Sequence, residues 1–229
     1  MLLEAMNWMQ VEAYLQCDDR VVVVTGACEQ HGYLSLFTDI RIPMAIAEVA
    51  CEREGVLIAP PLPFGISPYF VTYPGTISLC SETFIGVVRD VIEGLLLQGF
   101  RRILVSNGHG GNTGVLGAVL TELSNVHLEA RLDLFQWWLH PAVNAVAETE
   151  GLVQYHANWS ENFLHLTRLS TVPEEEKPPV QLSRVASADV TRKLAGDGSF
   201  GGPYQVSDAI MSRLFDAAVE AMIEALQAL

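Results

Sequence analysis

The sequence predicts an α/β domain. Short β-branched runs alternate with stretches of helical spacing, in the order β-α-β-α-β-α-β. The early runs are unbroken by polar residues, as in strands covered on both faces. The chain of 229 residues is 50% apolar, long enough to bury one sizeable core, and neither an internal repeat nor a long linker divides it. Residues 1–229 therefore read as a single domain.

Arg20–Thr25 (RVVVVT) is the first buried strand. Ile40–Glu54 has helical spacing and stops at Gly55, and Val56–Pro60 (VLIAP) is a second buried strand. Prolines 60, 61, 63, 68 and 74 with Gly65 and Gly75 then crowd a loop longer than a connection needs, which makes it a candidate functional loop. Ser81 can cap the next helix, whose stripe Phe84, Val87, Val88, Val91, Ile92 and Leu95 faces a core before Gly99 ends it. Arg102–Ser106 is a third buried strand, and Thr113–Leu123 a further helix. His127–Phe135 alternates, so it belongs near an edge or on a half-exposed face. Glu174–Pro179 reads as a surface loop and Gly196–Pro203 as a flexible one, expected with the proline-rich loop to shape and close a pocket, and a helix closes the chain from Ser207 to Leu229.

Charge narrows the function classes. The formal net charge of -14 disfavours nucleic acid or an anionic membrane as partner. It is compatible with an acidic soluble surface or with carboxylates gathered around a cation. The first residues lack the basic and apolar regions of a targeting segment, and no apolar run could span a bilayer. Cys17, Cys28, Cys51 and Cys80 lie singly, which fits reduced thiols and a cytoplasmic setting.

Three clusters could carry chemistry. The first, Ala27–Ile40 (ACEQHGYLSLFTDI), begins where the first strand ends, at the edge where open α/β sheets place their sites. Glu29 and His31 are two apart and can converge on Zn²⁺, Mn²⁺ or Fe²⁺; His31 can equally be a structural histidine. Asp39 opens a helix, as a cap or as a carboxylate bridging two cations. The second, Ser106–Asn112 (SNGHGGN), sets His109 among three glycines, as a ligand or beside a phosphate cradle, although the pattern is no known phosphate loop. The third, Tyr155–Asn162 (YHANWSEN), offers His156 as acid or base and Glu161 as base or ligand, or else the start of a helix. Trp137 and Trp138 suit core or interface, and one of them could wall a pocket. No nucleophile elbow or marked nucleophilic cysteine is present.

These clusters together resemble the creatininase (creatinine amidohydrolase) family. Trp8, GACEQHG (Gly26–Gly32) with Thr38-Asp39, PGTISL (Pro74–Leu79), SNGHGGN, His156-Ala157 with Glu161, and the glycine loop Gly198–Pro203 carry the resemblance nearly end to end. It implies a three-layer α/β/α fold with a largely parallel sheet, a homo-oligomer (a hexamer), and a centre of one or two divalent ions, zinc foremost, with manganese or iron as alternatives. Glu29 and His109 would bind one ion, His31 the other, with Asp39 bridging and Glu161 as a replacement ligand. Three features depart from the family pattern: a shortened EQHGYLSLFTD, Phe70 where a histidine is usual, and HANWSENF in place of HAGExETS.

The expectation is a metal-dependent amidohydrolase that cleaves a non-peptide or cyclic C–N bond of a small molecule. Glu161 and His156 would be its catalytic groups, and Trp159 and Tyr73 its substrate contacts. Peptide or formamide cleavage in a biosynthetic pathway is one alternative. A catalytically silent, metal-stapled binding protein is another.

Overall fold

The computed structural model describes residues 1–183 and 185–229. Four parallel strands form the sheet: β1 (Arg20–Thr25), β2 (Leu57–Ile58), β3 (Arg102–Asn107) and β4 (Arg131–Phe135), in the order β2-β1-β3-β4. The register runs Val21 opposite Ile103 and Val23 opposite Val105. Alternate side chains of β1 enter opposite cores, as a strand's two-residue period requires. Val22 and Val24 join the core beneath α2 (Thr38–Glu54), α5 (Pro141–Thr149) and α7 (Asp208–Ala228). Val21 and Val23 join the other, beneath α3 (Ser81–Gln98) and α4 (Thr113–Val126). Helices thus cover both faces, which is the three-layer arrangement the sequence predicts.

Several boundaries differ from the sequence reading. α2 starts two residues early, so Thr38 and Asp39 form its first turn. β2 keeps two residues of Val56–Pro60, and β4 starts at Arg131 because His127 ends α4 and a turn follows. Ser81 is the first residue of α3 rather than its cap; Cys80 occupies the cap without a side-chain hydrogen bond. Three short helices were not read from the sequence: α1 (Trp8–Leu15), α5, and α6 (Ala188–Ala195). Each carries a local start signal, namely a capping box of Asn7 and Gln10, Pro141 in the first turn, and Ser187 as cap. All four cysteines are free. No helix among the described residues is long and apolar enough to cross a membrane.

The sheet's carboxyl edge positions the site. Glu29 and His31 follow β1, His109 follows β3, Trp137 and Trp138 follow β4, and the proline-rich loop leaves β2. α2 comes unusually close to that edge. Pro43 lacks the N–H that would pair with the Asp39 carbonyl four residues back. Gly26 and Gly108 pack against that same carbonyl, and a Cβ at either would strike it. Glycine at both strand ends is what brings Asp39 into the cluster.

Candidate metal centre

Three groups of donor atoms lie within 4.8 Å of one another: Glu29, Asp39 and His109; His31, Asp39 and Glu161; and Glu29, His31 and His156. Asp39 links the first two. Its Oδ2 is 2.9 Å from His109 Nδ1, and its Oδ1 is 3.0 Å from His31 Nε2. Glu29 Oε1 is 3.5 Å from His109 Nδ1, and Glu161 Oε1 is 4.0 Å from His31 Nε2. Glu29, His31, Asp39 and His109 are all buried.

The back of each imidazole fixes which nitrogen faces the centre. His109 Nε2 lies 2.9 Å from the Ile66 carbonyl, which takes the proton there and turns Nδ1 inward. His31 Nδ1 lies 3.1 Å from the Glu29 carbonyl and turns Nε2 inward. Neutral amides hold the backbone behind His109. Asn107 Oδ1 accepts from Thr25 Oγ1 (3.2 Å) and His109 N (3.1 Å), while its Nδ2 donates to His109 O (2.7 Å). Asn112 Nδ2 donates to Gly26 O (3.1 Å), and its Oδ1 accepts from Ile66 N (3.0 Å). Outer partners of this kind orient a ligand and tune its basicity.

Whether the residues fit a cation is testable on the polar atoms themselves. Glu29 Oε2, His31 Nε2 and Asp39 Oδ2 are buried without a hydrogen bond. The last two lie about 3 Å from an oppositely charged group, but not aligned as hydrogen bonds. Unsatisfied buried polar atoms are costly, and three at one point are the mark of a missing partner. Carboxylate and imidazole donors without thiolate suit zinc, manganese or iron. The residues fit a divalent cation.

The electrostatics without a cation agree. Burial opposes the charged form of His31, yet the carboxylates of Asp39, Glu161 and Glu29 push its pKa up to about 10. Burial likewise opposes the charge on His109, and Glu29 and Asp39 push it up to about 9. Burial raises the Glu29 and Glu161 carboxyls. Burial also works against Asp39, but the imidazoles of His31 and His109 hold it well below the usual carboxylate range. His156 is driven well below its ordinary value by burial and by the neighbouring His31.

A second layer closes over these donors. Phe70 stacks on His156 with ring centroids 4.7 Å apart and planes 15° apart, and Phe200 lies 5.1 Å from the same ring. Glu161 Oε2 accepts from Ala157 N at 2.6 Å, leaving Oε1 toward His31. Ala157 has φ 56°, a left-handed conformation costing about 1–2 kcal/mol, and that hydrogen bond offsets part of it. The reading of Tyr155–Asn162 as a helix start resolves into a single 3₁₀ turn, Trp159–Glu161, capped by Asn158.

Two expected substrate contacts do not reach the cavity. Trp159 is fully buried in the core, its indole N–H donating to Val153 O at 2.9 Å. That internal acceptor is what lets a polar aromatic leave the surface. Tyr73 is also buried; it packs edge-on against Phe70, with Arg192 over its ring at 5.4 Å, and so supports the wall from behind. The cavity, about 500 Å³, is instead walled by Phe70, Phe200, Trp137 and Trp138 together with Tyr69 and Tyr155. The proline-rich loop supplies Ile66, Ser67, Tyr69 and Phe70 to it, as a functional loop should. Phe70 was legible as the place where a usual histidine is absent, and Phe200 through the late glycine loop, expected to shape and close the pocket.

Comparison with known proteins agrees with the geometry. The Creatininase family profile, described as creatinine amidohydrolase, matches residues 4–226. The chain belongs to the creatininase family. Among its relatives are the creatinine amidohydrolase of Pseudomonas putida, 34% identical over 115 residues, and the mycofactocin precursor peptide peptidase of Mycolicibacterium smegmatis, 35% identical over 117. The 3-dehydro-scyllo-inosose hydrolase of Thermotoga maritima is 30% identical over 109 residues. These alignments cover 47%, 45% and 47% of this chain and 44%, 44% and 35% of the relatives, so the chain matches less than half the length of each. The fold extends further. A crystal structure of creatininase superposes with a TM-score of 0.84 at 24% identity, covering 99% of this chain and 96% of that one. A manganese form of creatininase gives 0.82 at 24% identity, covering 99% and 97%.

Proposed function

We propose that this creatininase-family protein is a metal-dependent amidohydrolase acting on a C–N bond, other than a peptide bond, of a small molecule. The observation that carries the proposal is the set of three buried polar atoms without a hydrogen bond at Glu29, His31 and Asp39. Glu29 and His109 would hold one divalent ion and His31 and Glu161 a second, with Asp39 between them. Zinc is the first expectation. Solved creatininases of zinc–zinc type and with manganese support a divalent cation without choosing between the two. A homo-oligomer and a cytoplasmic setting belong to the same reading.

When bound, such ions supply Lewis acidity, which polarises a carbonyl and lowers the pKa of water. The chain's own residues do the rest. His156 is kept neutral by burial and by its neighbour His31, and its Nδ1 faces Glu29 Oε1 at 3.8 Å. It is placed to pass a proton at the leaving nitrogen. With a single ion bound, Glu161 is instead free to exchange a proton at Oε1, where burial raises its carboxyl pKa. Phe70 and Phe200 exclude water around His156.

Two measurements test this together. Elemental analysis of the purified protein should find one or two equivalents of zinc, manganese or iron per chain. Mass-spectrometric assay of cyclic and linear amides with the metal-loaded protein should then show hydrolysis that a chelator abolishes. A metal-free protein with full turnover would overturn the proposal, and selective cleavage of peptides would move it to the peptidase alternative.

A further inference from the structure

The walls of the cavity are as selective as its floor. Of the residues described as lining it, the charge-bearing ones are Glu29, Asp39, His109, His156 and Glu161, all members of the donor cluster at one end. Away from the cluster the lining is dominated by six rings: Tyr69, Phe70, Trp137, Trp138, Tyr155 and Phe200. At about 500 Å³ the space is in the range that holds a drug-sized molecule.

Two features point to a flat ring within that space. Phe70, Phe200 and His156 form a contiguous aromatic surface directly beside the donors, Phe70 and Phe200 being 5.7 Å apart. Aromatic surfaces favour another aromatic by offset or edge-to-face packing beyond simple area burial. Gln154 adds a polar element. Asn144 Nδ2 donates to Leu139 O, so Asn144 Oδ1 takes the Gln154 Nε2 proton at 2.8 Å. This fixes the amide and leaves Gln154 Oε1 without a protein partner at the wall.

From this geometry we infer that the substrate is an amide whose scissile C–N bond adjoins a planar, aromatic group. The inference rests on the hydrolase reading above for the bond cleaved, but its binding half stands separately.

The test uses the metal-loaded full chain and two matched probes, acetanilide and N-cyclohexylacetamide. Hydrolysis is followed by mass spectrometry, and binding of the two probes by calorimetry. Acetanilide should exceed N-cyclohexylacetamide about fivefold in kcat/KM and in affinity. Phe200→Ala and Trp138→Ala should each erase most of the aryl preference, so a folding failure of one leaves the other decisive. A preference for the cyclohexyl compound, or no binding of acetanilide, would overturn the substrate class. Aryl-selective binding that depends on Phe200, with no cleavage of any probe, would instead overturn the hydrolase reading and keep the class.

Discussion

The floor and the roof of the cavity are built by different means. The floor sets Glu29, His31, Asp39 and His109 at strand ends and a helix start, seated on glycines that bring Gly26 and Gly108 against the Asp39 carbonyl. The roof includes three loop segments, around residues 153–163, 177–183 and 196–204, which hold one another by hydrogen bonds. Phe200 is tied on both sides, its N–H donating to His156 O and its carbonyl accepting from Val180 N, both at 2.9 Å. A floor on a parallel sheet keeps donors at fixed separations, as bond-making chemistry needs. A roof of mutually tied loops can change its side chains without moving those donors. The shared metal donors therefore belong to the floor and selectivity to the roof, with His156 and Glu161 reaching down from the roof, and mutations on the two sides should separate metal content from substrate affinity.

The largest effect tests the floor alone. Asp39→Ala removes the carboxylate shared by two donor groups, and should empty the centre and lower kcat/KM about a thousandfold or more, the equivalent of several kcal/mol. Metal per chain by elemental analysis and turnover should fall together. Trp138→Ala, by contrast, should leave metal content intact. Loss of metal from the wall variant, or retention of two ions by Asp39→Ala, would break the comparison.

Glu161 tests where the boundary lies, because a roof segment delivers it to the floor's donors. Glu161→Gln should lower the ions per chain by one while the group of Glu29, Asp39 and His109 keeps its own, with activity down about a hundredfold. Unchanged stoichiometry would place Glu161 wholly in the roof. Asn107→Ala probes the support from beneath. It should weaken metal affinity ten- to a hundredfold in a metal-buffered titration, since His109 loses two backbone hydrogen bonds.

The floor also predicts an opposite pH response with and without metal. In the chelated protein His31 and His109 have pKa values of about 10 and 9, above the roughly 6.5 of an unfolded histidine. Their contribution to stability is full below about pH 6.5 and is lost as pH rises through 9 and 10. The Tm of chelated protein should therefore fall between pH 7 and 10, while the metal-loaded protein, whose imidazoles have already given up those protons, stays nearly level. A chelated protein that gains stability over that range would contradict the charge arrangement.

How much of this was legible follows the same division. The floor is written locally: Glu29 and His31 are two residues apart, Asp39 opens the next helix, and His109 lies in a glycine-rich turn after a buried strand. Chain order and strand-end logic suffice to place all four at one edge. The roof depends on contacts between distant segments. Nothing near Trp159 announces that Val153 O will satisfy its indole, and nothing near Tyr73 announces that it will back Phe70. Aromatic identity marks a residue as valuable without saying which side of a wall it takes. The short helices α1 and α6 were missed for a related reason: their start signals are clear, but eight residues give little periodicity.

The smallest predicted effect concerns how the roof is tied. Lys177 Nζ donates to the Ala195 and Ser199 carbonyls and to Asp197 Oδ1, and its backbone pairs both ways with Gly202, at 3.1 and 2.8 Å. Asp197 in turn accepts from the Tyr204 hydroxyl. This one lysine thus joins the segment that carries Val180 to the glycine loop that carries Phe200. Its ion pair is partly solvated, so Lys177→Met should cost only about 1 kcal/mol of global stability. Its local consequence should be larger than that figure suggests, because Phe200 is held from both sides and one side is released. The expected signature is a KM raised about threefold, a kcat within a factor of two, and unchanged metal per chain. A fall in kcat or in bound metal would mean that the glycine loop supports the donors themselves, and that floor and roof are one mechanical unit.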